Sequence, residues 1–290
     1  MFNFTVLKTI SESPFGSIVL LRDDSYDGDG KMFIGKHATK DHNLNNFGAI
    51  TNLWREKLFL ERLKGGPFII KYYETLQNQK DFLIVMEHLK VSNLTQMLSR
   101  KRRHKCMPES DLIYFAAEII TGLEYIHSKG IIHRDIKPEN IGIDEEGHIA
   151  IFDFGLSAEI PSTRSSKLNQ ICGTFLYRAP EMESKQGYDQ SADWWSLGMT
   201  LNYMITRRLT YITPDYLTFP AHVSENAADL IRKLLMSNPE ERLGGGGRGA
   251  EEIKTHPLFH DIDWDKILKK EVESPVKKRY YDRRSVSTKL

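Results

Sequence analysis

The segment Ile132-His133-Arg134-Asp135-Ile136-Lys137-Pro138-Glu139-Asn140, followed thirteen residues after that Asn by Asp153-Phe154-Gly155, constrains this chain more than any other feature. It sets a carboxylate, an ammonium two residues on, an amide three beyond that and a second carboxylate farther along. Transfer of a phosphoryl group to a hydroxyl calls for these groups: one to orient the hydroxyl, one to neutralise charge on the moving group, and oxygen donors for a metal ion. Either short motif alone arises by chance in long proteins. Asp135 as a plain turn residue and Asp153 as a helix cap would explain each position singly, but not both in this order and at this spacing.

The rest of the chain predicts an α+β protein with two segregated lobes. Phe4 to Lys40 reads as a meander of antiparallel strands, short β-branched runs such as Ser17-Ile18-Val19-Leu20-Leu21 broken by the long tip D-D-S-Y-D-G-D-G. Leu53, Lys57, Leu60 and Leu63 have helical spacing within Ile50 to Lys64, and Gly65-Gly66-Pro67 is a strong stop. Two strands are expected at Ile69 to Glu74 and Phe82 to Glu87, then helices at Asn93 to Arg100, Glu109 to Lys129 and Ala192 to Thr206. The expected domains are 1–88, 89–263 and a tail, 264–290, with a hinge near Met86 to Leu89. Glu271 to Leu290 is poor in apolar residues and should fray or wrap over the surface. The basic run Arg100 to Lys105 is expected to be a solvated connector, with docking or nuclear import as the other reading.

With 40 basic and 39 acidic residues in 290, bulk charge argues against a dedicated nucleic-acid binder. Two cysteines, Cys106 and Cys172, make no disulfide framework and suit a reducing compartment. No apolar run approaches the roughly 20 residues a spanning helix needs, and the first residues lack a signal-peptide pattern. The expectation is a cytoplasmic or nuclear protein without membrane insertion.

Through the I-H-R-D-I-K-P-E-N and D-F-G segments, Ala179-Pro180-Glu181 and the stretch Asn238 to Trp264, the chain resembles the eukaryotic protein kinases. Cys172-Gly173-Thr174 and N-P-E-E-R-L-G make it most similar to the AGC group of Ser/Thr kinases, from about Thr5 to Val276. The resemblance implies a two-lobed protein-kinase fold, ATP and Mg2+ as cofactors, a protein substrate, and an upstream kinase or activating partner. By the same resemblance Asp135 takes or orients the hydroxyl proton, Lys137 neutralises the transferring phosphoryl, and Asn140 and Asp153 hold magnesium. Lys36, held by Glu56, meets the nucleotide phosphates. Ser11, Ser13, Gly16, Ile18, Ile34, Met86, Glu87 and Gly142 border the nucleotide. Glu181 is expected to pair with Arg242, and Asp193 to tie the catalytic loop to the large lobe. Lys137-Pro138-Glu139 and Thr174 are similar to Ser/Thr-specific rather than tyrosine-specific kinases.

Several departures qualify this picture. The glycine loop G-x-G-x-x-G is here Ser11-Glu12-Ser13-Pro14-Phe15-Gly16, which predicts a weaker hold on phosphates, because Pro14 removes a donor and stiffens the loop. The group's regulatory Thr is replaced by Gln170. Thr163, Ser165 and Ser166 are substitutes, or the loop orders without phosphorylation. Of three acidic positions used to select basic peptides only Glu139 persists; the others are Asn93 and Tyr203. The group's tail runs on to a hydrophobic F-x-x-F sequence that does not occur before Leu290. These departures motivate a second reading, a pseudokinase acting as a nucleotide-binding or scaffolding module. At the expected adenine position, Ile34 replaces the usual roof Ala and Gly142 the usual floor Leu, exchanges that offset in volume. Ile34→Ala is therefore expected to loosen nucleotide binding in a titration; tighter binding would refute the compensation.

Overall fold

The computed structural model describes residues 4–13, 16–25, 30–40, 44–89, 92–100, 107–160, 167–184, 187–209 and 217–277, by backbone alone at 44–47, 49, 92 and 100. Pro14, Phe15, the basic run beyond Arg100, Thr163, Ser165, Ser166 and the last part of the tail lie outside the described residues. The chain divides into two compact units, one of residues 1–65, 69–90 and 153–157, the other of 66–68, 91–152 and 158–290.

In the first unit, β1 (Phe4–Ser13), β2 (Gly16–Asp23), β3 (Lys31–Thr39), β4 (Tyr72–Gln77) and β5 (Asp81–Glu87) form one antiparallel sheet in the order β1-β2-β3-β5-β4. Side chains alternate between faces along each strand. Val19, Leu21, Phe33, Leu83 and Val85 form a buried cluster on one face, with Phe4, Tyr73 and Leu76 packed against it. Gly35 faces this cluster: a Cβ there would come within 2.7 Å of Leu83 and 2.9 Å of Leu21 and Val19. That register leaves Ile34 and Lys36 for the other face, opposite Met86 and Ile84 on β5 and Leu20 and Ile18 on β2.

The helix α1 (Leu44–Arg62) belongs to the same unit and buries Leu53, Glu56, Phe59 and Leu60. It begins six residues before the expected start, because Asn45, Asn46 and Gly48 interrupt the apolar periodicity that marked Ile50. β4 is displaced toward the C-terminus from the expected Ile69 to Glu74. Phe68 takes a left-handed φ of 57°, and pairing runs to Gln77 opposite Phe82, where Asn78 Oδ1 accepts from Lys80 and Asp81 N–H at 2.7 Å.

The second unit holds β6 (Ser92–Asn93), α2 (Leu94–Arg100), α3 (Glu109–Ser128), β7 (Ile131–Ile132), β8 (Ile141–Ile143), β9 (Ile149–Ile151), β10 (Ala158–Glu159), α4 (Ser191–Thr206), α5 (Glu225–Leu234), α6 (Gly249–Lys254) and α7 (Trp264–Leu268). β6, β8 and β9 form one small sheet, β7 and β10 another. Asn93, expected inside α2, caps it instead, its Oδ1 accepting from Gln96 N–H at 2.9 Å. The helix α5 was not anticipated, although Ser224 caps it and Ala227, Ala228, Leu230, Ile231 and Leu234 form its buried stripe. Among the described residues no helix is long and apolar enough to cross a membrane.

The expected Glu181–Arg242 pair is present and buried, with guanidinium-to-carboxylate distances of 2.5 and 2.8 Å. Arg242 also donates to the carbonyls of Met236 and Ser191, which fixes the A-P-E turn to the start of α4. The described part of the tail wraps rather than frays: Ser274 and Val276 are buried, Ser274 Oγ donates to Gly147 O at 2.9 Å, and Lys277 pairs with Glu146. Arg242→Ala leaves the Glu181 carboxylate buried without its counter-ion and is expected to cost about 3–5 kcal/mol in urea unfolding. A loss below about 1 kcal/mol would mean that the pair adds little beyond a surface bridge.

Candidate functional site

In the first unit, β3 and α1 bring Lys36 and Glu56 together. Lys36 Nζ donates to Glu56 Oε1 at 2.7 Å and Oε2 at 2.9 Å, and to Asp153 Oδ1 at 2.8 Å. Burial alone would discharge the lysine, but the two carboxylates overcome it and hold Lys36 protonated well above its ordinary range. Burial pushes the Glu56 carboxyl up, so the lysine is its necessary counter-charge. Asp153 adopts the left-handed conformation, φ 70° and ψ 67°, at the start of a 3₁₀ turn over Phe154–Leu156, and its side chain is 44% exposed. An exposed carboxylate of this kind can serve a divalent cation.

The expected nucleotide-side residues divide by sheet face. Ile18, Ile34, Lys36 and Met86 share the face opposite the apolar cluster; Ser11 pairs with Ile18, and Ser13 with Gly16. Glu87 pairs with Phe33 on the other face, where its carboxylate accepts from Lys71 N–H at 2.9 Å. Gly16 has φ 116°, and a Cβ would meet His37 O at 2.4 Å, so this glycine is demanded by the backbone. Ser13 Oγ donates to its carbonyl at 3.0 Å.

In the second unit, the Asp135 carboxylate is the centre of a small network. Oδ2 accepts from Lys137 Nζ at 2.7 Å and Asn140 Nδ2 at 2.9 Å; Oδ1 accepts from the Thr174 N–H at 2.8 Å and hydroxyl at 2.7 Å. Lys137 Nζ also reaches Thr174 Oγ1 at 2.6 Å. Burial pushes the Asp135 carboxyl up, but Lys137 and the Thr174 donors together outweigh it and hold it below the usual carboxylate range. Asn140 spends its amide hydrogens on Asp135, on Oδ2 and on the backbone carbonyl, and its Oδ1 takes no part in either bond. Gly142 lies buried on β8 opposite Ala150.

The backbone that presents Asp135 is itself pinned. Asp193 on α4 accepts from the N–H groups of His133 at 2.9 Å and Arg134 at 2.8 Å, and from His127 Nε2 at 2.8 Å. His133 accepts the Asp135 N–H at Nδ1 and donates from Nε2 to Phe152 O. The sequence did not single out His127 or Tyr188. Tyr188 sits beside Gln170 and Arg134, and no local motif marks that meeting. Among the described residues there is no group of three or more His, Cys, Asp or Glu that could cage a metal. Magnesium needs few protein donors, because it keeps waters and substrate phosphates among its ligands.

A five-stranded antiparallel sheet with one helix, a separate helical unit, a Lys–Glu–Asp triad and an Asp–Lys–Asn loop define a class. Residues 4–259 match the family described as protein kinase domain, and the chain belongs to that family. It is 36% identical over 274 residues to ribosomal protein S6 kinase alpha-1 of Mus musculus, covering 94% of this chain and 37% of that protein. The human protein of that name is 35% identical over 286 residues, and ribosomal protein S6 kinase 2 alpha of Gallus gallus 35% over 285. These relatives are kinases of the AGC group. The chain spans about 37–38% of their length.

Removing the lysine should expose what it compensates. Lys36→Ala leaves Glu56 buried without a counter-ion and is expected to destabilise the protein by about 3 kcal/mol at neutral pH. With its folded-state pKa raised above the unfolded value, Glu56 in the variant gives stability that is complete in acid and lost as pH rises. Denaturation at several pH values, with Lys36→Ala/Glu56→Gln as the relieving double variant, checks both size and sign.

Proposed function

We propose that this chain is a Ser/Thr protein kinase domain that transfers the γ-phosphate of ATP to hydroxyls of protein substrates. The observation that carries the reading is the Asp135 carboxylate, held ionised and oriented by Lys137, Asn140 and Thr174. In this reading Asp135 receives the proton of the attacking hydroxyl. Lys137, already 2.7 Å from that carboxylate, neutralises charge on the phosphoryl in flight. Lys36, held in place by Glu56, meets the nucleotide phosphates. Asn140 and Asp153 are the magnesium ligands; magnesium, when bound, draws charge from the phosphate oxygens. Ser11, Ser13, Gly16, Ile18, Ile34, Met86, Glu87 and Gly142 line the nucleotide side, with a looser grip at the serine-substituted loop.

Substrate preference follows from what replaces the acidic positions. Asn93 is committed to capping α2 and donates to Glu139 O at 3.2 Å. Tyr203 lies under the Arg207 guanidinium, 4.7 Å from the ring centroid. A cation in that place disfavours a basic peptide, so no strong demand for Arg ahead of the target residue is proposed. Protein partners are its substrates and an activator, and the name borne by the relatives does not fix either for this chain.

The test is incorporation of labelled phosphate from ATP and magnesium into generic Ser/Thr peptides and into the chain itself. Asp135→Asn is expected to lower transfer by about 100-fold or more, with nucleotide binding retained. Nucleotide binding without transfer by the wild type, phosphorylated or not, would overturn this reading in favour of a scaffolding pseudokinase.

A further inference from the structure

The segment 167–178 carries Thr174 to Asp135. Arg134 is 4% exposed and adopts a left-handed φ of 70°. Its NH1 donates to Gln170 Oε1 at 3.3 Å and to the Tyr188 hydroxyl at 3.0 Å. Tyr188, buried at 1% exposure, donates in turn to Gln170 O at 2.7 Å. Leu168 and Tyr188 exchange two backbone hydrogen bonds of 2.9 Å. Farther along, Arg178 donates to the carbonyls of Cys172 and Gly173 at 3.0 and 2.8 Å, and Gly173 passes so close to Arg134 O that a Cβ would lie 2.4 Å from it.

These contacts close a ring. Asp135 follows Arg134 in the chain; Arg134 meets Gln170 and Tyr188; four residues after Gln170, Thr174 donates twice to Asp135. The acceptors that Gln170 and Tyr188 offer to the guanidinium are neutral: an amide oxygen and a phenol. Hydrogen bonds to a charged donor are stronger than neutral ones even when the acceptor is uncharged. Gln170 has no hydroxyl and cannot be phosphorylated.

We propose that Gln170 and Tyr188 are positioning residues for Asp135, acting through Arg134, and that they set the 167–178 segment in its catalytic arrangement without any phosphate on the chain. The proposal rests on the kinase reading for its consequence, and on the hydrogen-bonded ring for its content. It assigns regulation elsewhere than to phosphorylation of this segment: the unmodified chain is already assembled around Asp135.

The test uses the full chain treated with phosphatase, with intact mass showing no phosphate. Hydrogen exchange over 167–178 and steady-state transfer to a generic Ser/Thr peptide are both measured. The unphosphorylated wild type is expected to show a protected segment and a kcat within about twofold of the untreated protein. Gln170→Leu and Tyr188→Phe should speed exchange and lower kcat by roughly tenfold, the size of a lost hydrogen bond to a charged group, with the KM for ATP little changed. Gln170→Glu, which keeps the acceptor, should restore both readouts. Fast exchange in the unphosphorylated wild type, loss of transfer on dephosphorylation, or a Gln170→Leu variant equal to wild type in both readouts would overturn the proposal. Protection without transfer in every form would overturn the kinase reading and with it the positioning role, while the hydrogen-bonded ring would stand on exchange alone.

Discussion

One buried carboxylate fixes the loop on which the chemistry of the larger unit depends. Asp193 is fully buried and spends its oxygens on two successive backbone N–H groups, of His133 and Arg134, and on His127. Burial pushes its carboxyl up; His127, with the His133 N–H and ring, outweighs that and keeps it ionised below the usual range. Anchoring two consecutive N–H groups to one residue of a helix over-determines the backbone there. That is how Arg134 can persist at a left-handed φ, a strain of roughly 1–3 kcal/mol for a non-glycine residue. The strained turn aims Asp135 at Thr174 and the Arg134 guanidinium at Gln170.

What could be read from the sequence was what lies close in the chain. Asp135, Lys137 and Asn140 occupy one loop and a 3₁₀ turn, Pro138–Asn140, so their spacing nearly is their geometry. Glu181 and Arg242 stood in recognisable motifs, and the pair formed as expected. Lys36 was placed by the resemblance, and strand alternation around Gly35 puts it on the face of Ile34. Less legible were contacts between distant groups. The resemblance linked Arg134 with the position of Gln170, thirty-six residues on, as arginine and phosphate site, but the bonds of Tyr188 to both leave no signature in composition or spacing. α5 is different: its Ser224 cap and apolar stripe are local pattern and were legible in the sequence. The start of α1 was missed because asparagines and a glycine are weak helix formers, and propensity is only a weak prior for where a helix begins.

The altered glycine loop separates two demands that are usually superposed. Gly16 sits at positive φ against His37 O, so any side chain there would clash with backbone; the fold needs it. Ser11 and Ser13 occupy exposed strand positions whose conformation any small residue can take. A change at those two sites alters how closely a ligand approaches the backbone without disturbing the sheet. At its described positions the loop has lost glycine only where the hairpin tolerates it, and retention of Gly16 speaks for the hairpin, not for the ligand.

Charge accounting then limits how a nucleotide can be held. In the first unit Lys36 is shared by Glu56 and Asp153, two carboxylates to one ammonium; in the second, Lys137 is matched by Asp135. Neither group offers a cation whose charge is uncompensated. A polyphosphate brought to either would meet neutral or negative surroundings, at a cost that grows in a low-dielectric setting. The positive charge has to arrive with the ligand, and a divalent cation on oxygen donors is the chemically economical form of it. In the proposed reading the lysines then set orientation and the metal supplies the attraction, so that exchanging two loop glycines for serines would weaken the grip without removing it.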